Sequence, residues 1–325
     1  MPNSCSPDSS YLATPEFLSL SMHCLSAIEL PIHVFGAYCI LFKTPQKMSG
    51  VKWSMLNFHF WLAVTDLTTS GLTIPFLILP AVGGFPLGLL TKMGVSTELQ
   101  VCLNMSLVTC VCAAVIGIFE NRYNAFIAGP RWKAYGRYIF HFLSYTTALT
   151  FIIPQFLFFL PDQSTAIQSA QKYLPCNPDP YLPALFFLGG PIWYLVIVVF
   201  GLCAYCGVNI FIFSIQIHKF IWKGAVISKN THRLQLSLQY SLIIQAVIPF
   251  LVLLVPVIMI TLPICTNYHN QGMNNLAVMI LSTHGVSSTI AMILIHQSYR
   301  STLLSMFGCN DKKKLSLAPV KIINI

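Results

Sequence analysis

Seven stretches of this chain stay apolar long enough to cross a lipid bilayer. They run roughly Phe17–Phe42, Ser54–Pro80, Leu99–Phe119, Tyr138–Leu160, Ala184–Ile215, Leu236–Pro263 and Met273–Ile295. A spanning helix needs about 20 such residues, because the hydrocarbon core offers its backbone no outside hydrogen-bond partner. Polar positions gather in the short connections between the stretches, and no internal repeat is visible. The pattern predicts an all-α membrane protein, a bundle of seven transmembrane helices over residues 17–296. A tail of residues 1–16 precedes it. Residues 297–325 follow, with STLLSMFG as a short amphipathic stretch at the membrane edge.

Composition removes the soluble alternative. Hydrophobic residues make up 55% of the chain and charged ones 8%, and the mean hydropathy is +0.71. Such a chain lacks the polar surface that a dissolved domain needs.

The placement of charge then sets an expected orientation. Of 18 Lys and Arg residues, 16 fall in the first, third and fifth connections and the C-terminal tail; only Lys92 and Lys172 fall on the other side. Positive residues are retained on the cytoplasmic side, so the N-terminus is expected outside and the C-terminus in the cytoplasm. The net charge of +9 is therefore a topology signal rather than a nucleic-acid footprint, and the basic loops suit anionic lipid. The first 16 residues lack a cationic leader region, so the first helix is expected to act as its own anchor.

Against this apolar background the few charges stand out. The stretch IFENRYNAFIAGPRW places Glu120, Arg122 and Tyr123 at the cytoplasmic end of the third helix. A carboxylate there opposes the negative end of the helix dipole and calls for a cation or a proton. Arg122, or a cation from a neighbouring loop, would hold a resting state that releases when partners change. The plainer reading is a charge pair that only anchors the helix end.

Asp66 lies midway along the second helix and Glu29 within the first. Each needs a partner or protonation in lipid. A neutral Asp66 bonded to Thr65 or Ser70, and a protonated Glu29 in a polar seam, are the plainer alternatives.

Enzyme chemistry finds little support. Nine histidines include no H-x-x-x-H or H-E-x-x-H pair, and the seventh stretch has no Lys to carry retinal. No catalytic residue, metal site or cofactor is expected. A transporter or ligand-gated channel remains the alternative class, although the missing repeat and the charge bias argue against it.

Seven helices with an outside N-terminus suggest a G-protein-coupled receptor. The segment LAVTDLTTSGLTIPF, with Asp66 and then Pro75 nine residues on, resembles the second helix of rhodopsin-type receptors. That resemblance implies an ion- or water-linked polar core at Asp66.

A narrower resemblance covers about Phe17 to Cys309. GAYCILFKTPQKMSGVKWSMLNFHFW, FENRYNAF, LPCNPDPYLPALFFLGG and HQSYRSTLLSMFG occur in that order, and together they resemble the nematode serpentine chemoreceptors of class H. The resemblance implies a chemosensory receptor in the cilia of sensory neurons, coupled to a heterotrimeric G protein. Two departures stand out. The family's Pro-Tyr-Arg after the seventh helix reads Ser298-Tyr299-Arg300 here, and the rhodopsin-type N-P-x-x-Y is absent.

By the same receptor likeness, Cys102 and Cys176 are the choice for an outer disulfide, with Cys5 and Cys265 as competitors. Cys309, after the amphipathic stretch, is a candidate for palmitoylation. The outer halves of the helices would form the ligand pocket, with Asn104, Phe186, Trp193, Tyr194, Met279 and His284 as candidate lining. Its scarcity of acids favours a small, largely apolar odorant over an amine.

Overall fold

The computed structural model describes residues 10–127, 129–151, 153–170, 173, 182–189, 192–223 and 229–307. Helix α1 covers Pro15–Lys43 and α2 covers Ser49–Leu67, extended by a π-helical stretch at Thr68–Thr73. After strands β1 (Pro75–Ile78) and β2 (Gly83–Pro86) come the short α3 (Leu89–Lys92) and the long α4 (Thr97–Phe126). The described parts of the fourth span are α5 (Arg137–Thr150) and α6 (Ile153–Phe158), followed by α7 (Gln163–Ala170) and β3 (Phe186–Phe187). Then come α8 (Ile192–Lys223), α9 (Lys229–Thr266), α10 (Gln271–Ser282), α11 (His284–Ile295) and α12 (Gln297–Met306).

Local chemistry explains the helix starts. The Thr14 hydroxyl accepts from Phe17 N at 3.1 Å ahead of Pro15, and Asn270 accepts from Met273 N at 3.0 Å to open α10. Each side chain satisfies an amide that the first helical turn leaves without a partner.

Among the described residues, six spans are long and apolar enough to cross a membrane. The seventh member, α2, is the polar one, carrying Lys52, Asn57, His59 and Asp66 in 19 residues. The protein is a seven-helix bundle with α4 near its centre, packed on α2, α5 and α8, while α11 packs on α1, α2 and α9. Large apolar side chains such as Phe42, Phe142, Leu157 and Phe211 point outward, as a lipid-facing surface requires.

Three apolar stretches do not form the continuous helices expected of them. The second ends at Thr73, not Pro80. The residue before a proline is pushed out of the helical region, and Ile74 turns left-handed at φ 45° ahead of Pro75. The fifth includes strand β3 ahead of its described helix, which runs from Ile192, while the seventh breaks at Thr283.

The three strands form an antiparallel sheet in the order β1-β2-β3, pairing Phe76 with Phe85 and Gly84 with Phe186. A Cβ at Gly84 would lie 2.0 Å from the Phe76 carbonyl oxygen, so only glycine allows that pairing. The sheet covers one end of the bundle over Leu18, Met22, Ile74 and Val278. Gln163 brackets Phe187, donating to its O at 3.0 Å and accepting from its N at 2.9 Å, and Gln271 donates to Leu77 O at 2.9 Å.

The turn into α12 forms without the family's proline. His296 is extended at φ −82°, ψ 113°, and fully buried Tyr299 bonds to Thr44 Oγ1 at 2.7 Å, tying α12 to α1.

Candidate functional site

The break in the seventh span frees backbone amides at the start of α11, in the middle of the bundle. Amides freed inside the bundle need an acceptor there. Asp66 of α2 supplies it. Its Oδ1 accepts from Gly285 N at 3.1 Å and its Oδ2 from Val286 N at 2.6 Å. A carboxylate is favoured at the positive end of a helix dipole, so Asp66 caps α11 from a neighbouring helix. Gly285 permits the approach, since a Cβ there would lie 2.6 Å from Oδ2.

Two imidazoles complete the surroundings of Asp66. His33 Nε2 of α1 lies 3.3 Å from Oδ2, and His284 Nδ1 lies 3.0 Å from Oδ1. The four neighbours are thus donors or rings able to donate, and a cation would have to displace them. Thr289 joins the network through His33 Nδ1 at 3.2 Å and His59 Nδ1 at 3.4 Å, and His59 Nε2 bonds to His33 O at 2.9 Å. Among the described residues, no group of three or more His, Cys, Asp or Glu is placed to hold a metal ion. The cluster is a hydrogen-bond network that joins α1, α2 and α11.

Glu29 sits next to this network and is buried. Its Oε2 accepts from Ser70 Oγ at 2.7 Å, and Ser70 also bonds to Ser26 at 2.7 Å. Asp66 itself has other partners than the Thr65 and Ser70 hydroxyls. Sequence reasoning did not find His33, His59, Thr289 or Gly285. The available signal was a polar ring at mid-helix in an apolar run, twice over.

At the far end of the bundle from the sheet, α4 carries Glu120 and Arg122, both buried. They are two positions apart and so point to different sides of the helix. Glu120 turns towards the fourth span. It accepts from Trp132 Nε1 at 3.0 Å, meets His141 Nε2 at 3.0 Å, and lies 3.4 Å from Arg137 Nε. Arg122 turns towards α9, where it donates to Gln235 Oε1 at 2.9 Å, and its guanidinium lies 4.7 Å from the centroid of the Phe126 ring. Glu120 meets not Arg122 but Arg137, a cation of the third connection that the structure places at the start of α5. Tyr123 packs between Trp132 and Phe213, with ring centroids 6.0 and 5.4 Å away.

The candidate pocket residues do not form one group. Asn104 ties α4 to the π-helical stretch, accepting from Thr69 Oγ1 at 3.1 Å and donating to Thr73 Oγ1 at 2.9 Å. Phe186 is on strand β3, not on a helix, and stacks on Phe156 at 5.9 Å. Met279 packs under the sheet, and Tyr194 meets Phe159 at 4.4 Å. His284 belongs to the Asp66 network. The Trp193 side chain lies outside the described set, as do Cys5, Cys176 and Cys309. Cys102 is half-buried near the sheet end of α4, and Cys265 is exposed at the end of α9.

Comparison with known proteins decides the family. The model of the family described as serpentine type 7TM GPCR chemoreceptor Srh matches residues 13–309. The chain belongs to the class H serpentine chemoreceptors. Serpentine receptor class H-72 of Caenorhabditis elegans is 28% identical to this receptor over 312 residues, covering 94% of this chain and 90% of the relative. Squid rhodopsin, a solved structure, superposes with a TM-score of 0.52 at 12% identity, covering 92% of this receptor and 88% of the rhodopsin. That likeness shows the fold alone. The receptor is therefore a multi-pass membrane protein of a chemosensory G-protein-coupled class, a class of receptors rather than of enzymes.

Proposed function

We propose that the receptor detects a small, largely apolar environmental molecule from the sheet-covered end, which faces outward. The signal passes to a heterotrimeric G protein at the opposite, basic end, in the plasma membrane of sensory cilia. The orientation rests on the Lys and Arg bias, with 16 of 18 on one side. Those same basic loops lie against anionic lipid.

The observation that carries the reading is the divided end of α4. Glu120 binds the fourth span and Arg122 binds α9, so one helix end holds two neighbours through charges that can change partners. In the resting state Glu120 keeps α4 on α5. On activation the contact between Arg122 and Gln235 gives way, α9 moves, and Arg122 becomes available to the G protein. Asp66 and Glu29 form the polar core that links the ligand end to this one.

The test is a reporter cell expressing the full chain, screened against panels of small apolar odorants, amines and carboxylates. The reading predicts a G-protein-dependent response to apolar members that Arg122→Ala reduces. A ligand-gated current that persists when G proteins are blocked would replace it with a channel.

A further inference from the structure

His284 stands at the break in the seventh span with one ring nitrogen engaged and the other without a partner. Nδ1 lies 2.8 Å from Leu281 O and 3.0 Å from Asp66 Oδ1. Both neighbours are acceptors, so Nδ1 carries a hydrogen. Among the described residues Nε2 has no hydrogen-bond partner, and the residue is 1% exposed. A buried polar atom left in this state is costly. Here it belongs to a ring whose other side holds the cap of α11.

Its surroundings are the bundle interior. Cys112 of α4 packs against the apolar core that holds Cys206 of α8. One turn along α11, Ser288 Oγ lies 3.4 Å from Gln245 O of α9, and Gln245 Oε1 is likewise buried without a partner among the described residues. His284 Nε2 and Gln245 Oε1 are therefore unsatisfied polar atoms on the packed helices α11 and α9.

We propose that His284 Nε2 is the polar anchor of the activating ligand, and that this ligand is a small apolar molecule bearing a hydroxyl group. The proposal rests on the chemoreceptor reading above and names the ligand class for it. The hydroxyl follows from the ring's chemistry. In the neutral ring Nε2 is a lone pair that needs a donor; in the charged ring it is an N–H that needs an acceptor. A hydroxyl supplies either, whereas a ketone supplies only an acceptor and a hydrocarbon neither. An ammonium ligand is disfavoured because the one carboxylate touching His284 is already surrounded by Gly285 N, Val286 N and His33. A hydrogen bond at Nε2 alters the polarity of the ring and so the strength of the Nδ1 contact to Asp66, which carries ligand binding to the helix break.

The experiment uses the full chain and matched probes, benzyl alcohol against toluene and 1-hexanol against hexane. His284→Asn keeps a donor at the Nδ1 position and deletes Nε2; His284→Gln keeps a polar atom near the Nε2 position. The alcohols should activate wild type at about tenfold lower concentration than the hydrocarbons, the scale of one hydrogen bond. His284→Asn should erase that difference and His284→Gln retain part of it. In purified receptor labelled with nitrogen-15 histidine, benzyl alcohol should shift the His284 Nε2 resonance and toluene should not. Equal potency of alcohol and hydrocarbon, a hydroxyl preference surviving His284→Asn, or no resonance shift with either alcohol overturns the proposal. If His284→Asn leaves the response to some other chemical class intact, only this inference falls. If the resonance shifts and no G-protein response to any molecule exists, the chemoreceptor reading falls and the hydroxyl site stands.

Discussion

Val286 N donates to Asp66 Oδ2 at 2.6 Å, across the interface between α2 and the second half of the seventh span. With Gly285 N at 3.1 Å on the other carboxylate oxygen, one side chain holds two of the amides that open α11. Bonds of this kind to a charged group contribute about 1.5–3 kcal/mol each. The break at Thr283 is thereby stabilised by Asp66, which is 220 positions from Val286, so helix seven keeps its bent form only while α2 stays in register with it.

Gly285→Ala tests that relationship through sterics alone. The new methyl would lie 2.6 Å from Asp66 Oδ2, forcing the carboxylate away or the helices apart. We expect a loss of about 1–3 kcal/mol and a fall in Tm of about 2–8 °C in purified receptor. Unchanged melting would mean that the two helices do not depend on this contact.

Asp66→Asn tests it through charge. The variant should still reach the cell surface, but its amide group presents a donor to backbone donors, and basal signalling should change. The four neighbours of Asp66 also make a specific point about sodium. Because the carboxylate is already met by His33, His284 and two amides, replacing sodium with potassium in the medium should leave wild-type signalling unchanged. A clear sodium dependence would show that a cation enters and displaces a histidine.

Much of this was legible in the order of apolar and polar residues. A run of 20 apolar residues has few alternatives in a bilayer, so the seven spans and the isolated acids Asp66 and Glu29 could be read directly. Helix breaks were harder. Pro75 marks the end of the second helix, but nothing local to Thr283 marks the break in the seventh, which depends on an acceptor brought by α2. The ring partners His33 and His59 were invisible for the same reason: their spacing along the chain says nothing about which helices meet. Glu120 and Arg122 are neighbours in sequence, yet helical geometry turns them to α5 and α9.

Asp162 offers a prediction about acid. It stands at the start of α7, where hydrogen bonds from the Ser164 hydroxyl and from the Thr165 hydroxyl and amide hold its carboxyl down at about 2, against an ordinary 3.8. A depressed carboxylate stabilises above its ordinary value and loses that contribution as pH falls through the folded one. The α7 cap, and with it the grip of Gln163 on Phe187, should therefore persist at pH 4 and be lost towards pH 2. Amide exchange at Thr165, corrected for its intrinsic pH dependence, should show this window. Loss of protection already between pH 5 and 4 would contradict it.

The fourth-span side of α4 can be tested residue by residue. If Glu120 rests on Arg137 and His141 rather than on Arg122, Arg137→Ala and His141→Ala should each raise ligand-free signalling. Arg122→Ala should instead reduce coupling. Equal behaviour of all three variants would argue that this helix end is an anchor without a switch.

The most direct measurement of the central claim needs no ligand. Glu120→Gln removes the charge and keeps the shape of the side chain, loosening a contact of about 0.5–2 kcal/mol, which shifts a two-state equilibrium by about two- to thirtyfold. Nucleotide exchange on a heterotrimeric G protein, measured with purified receptor in lipid discs, should rise by that factor over wild type and fall back when Arg122→Ala is added. Exchange that stays at the wild-type level in Glu120→Gln, with Arg122→Ala still coupling normally, would contradict the account.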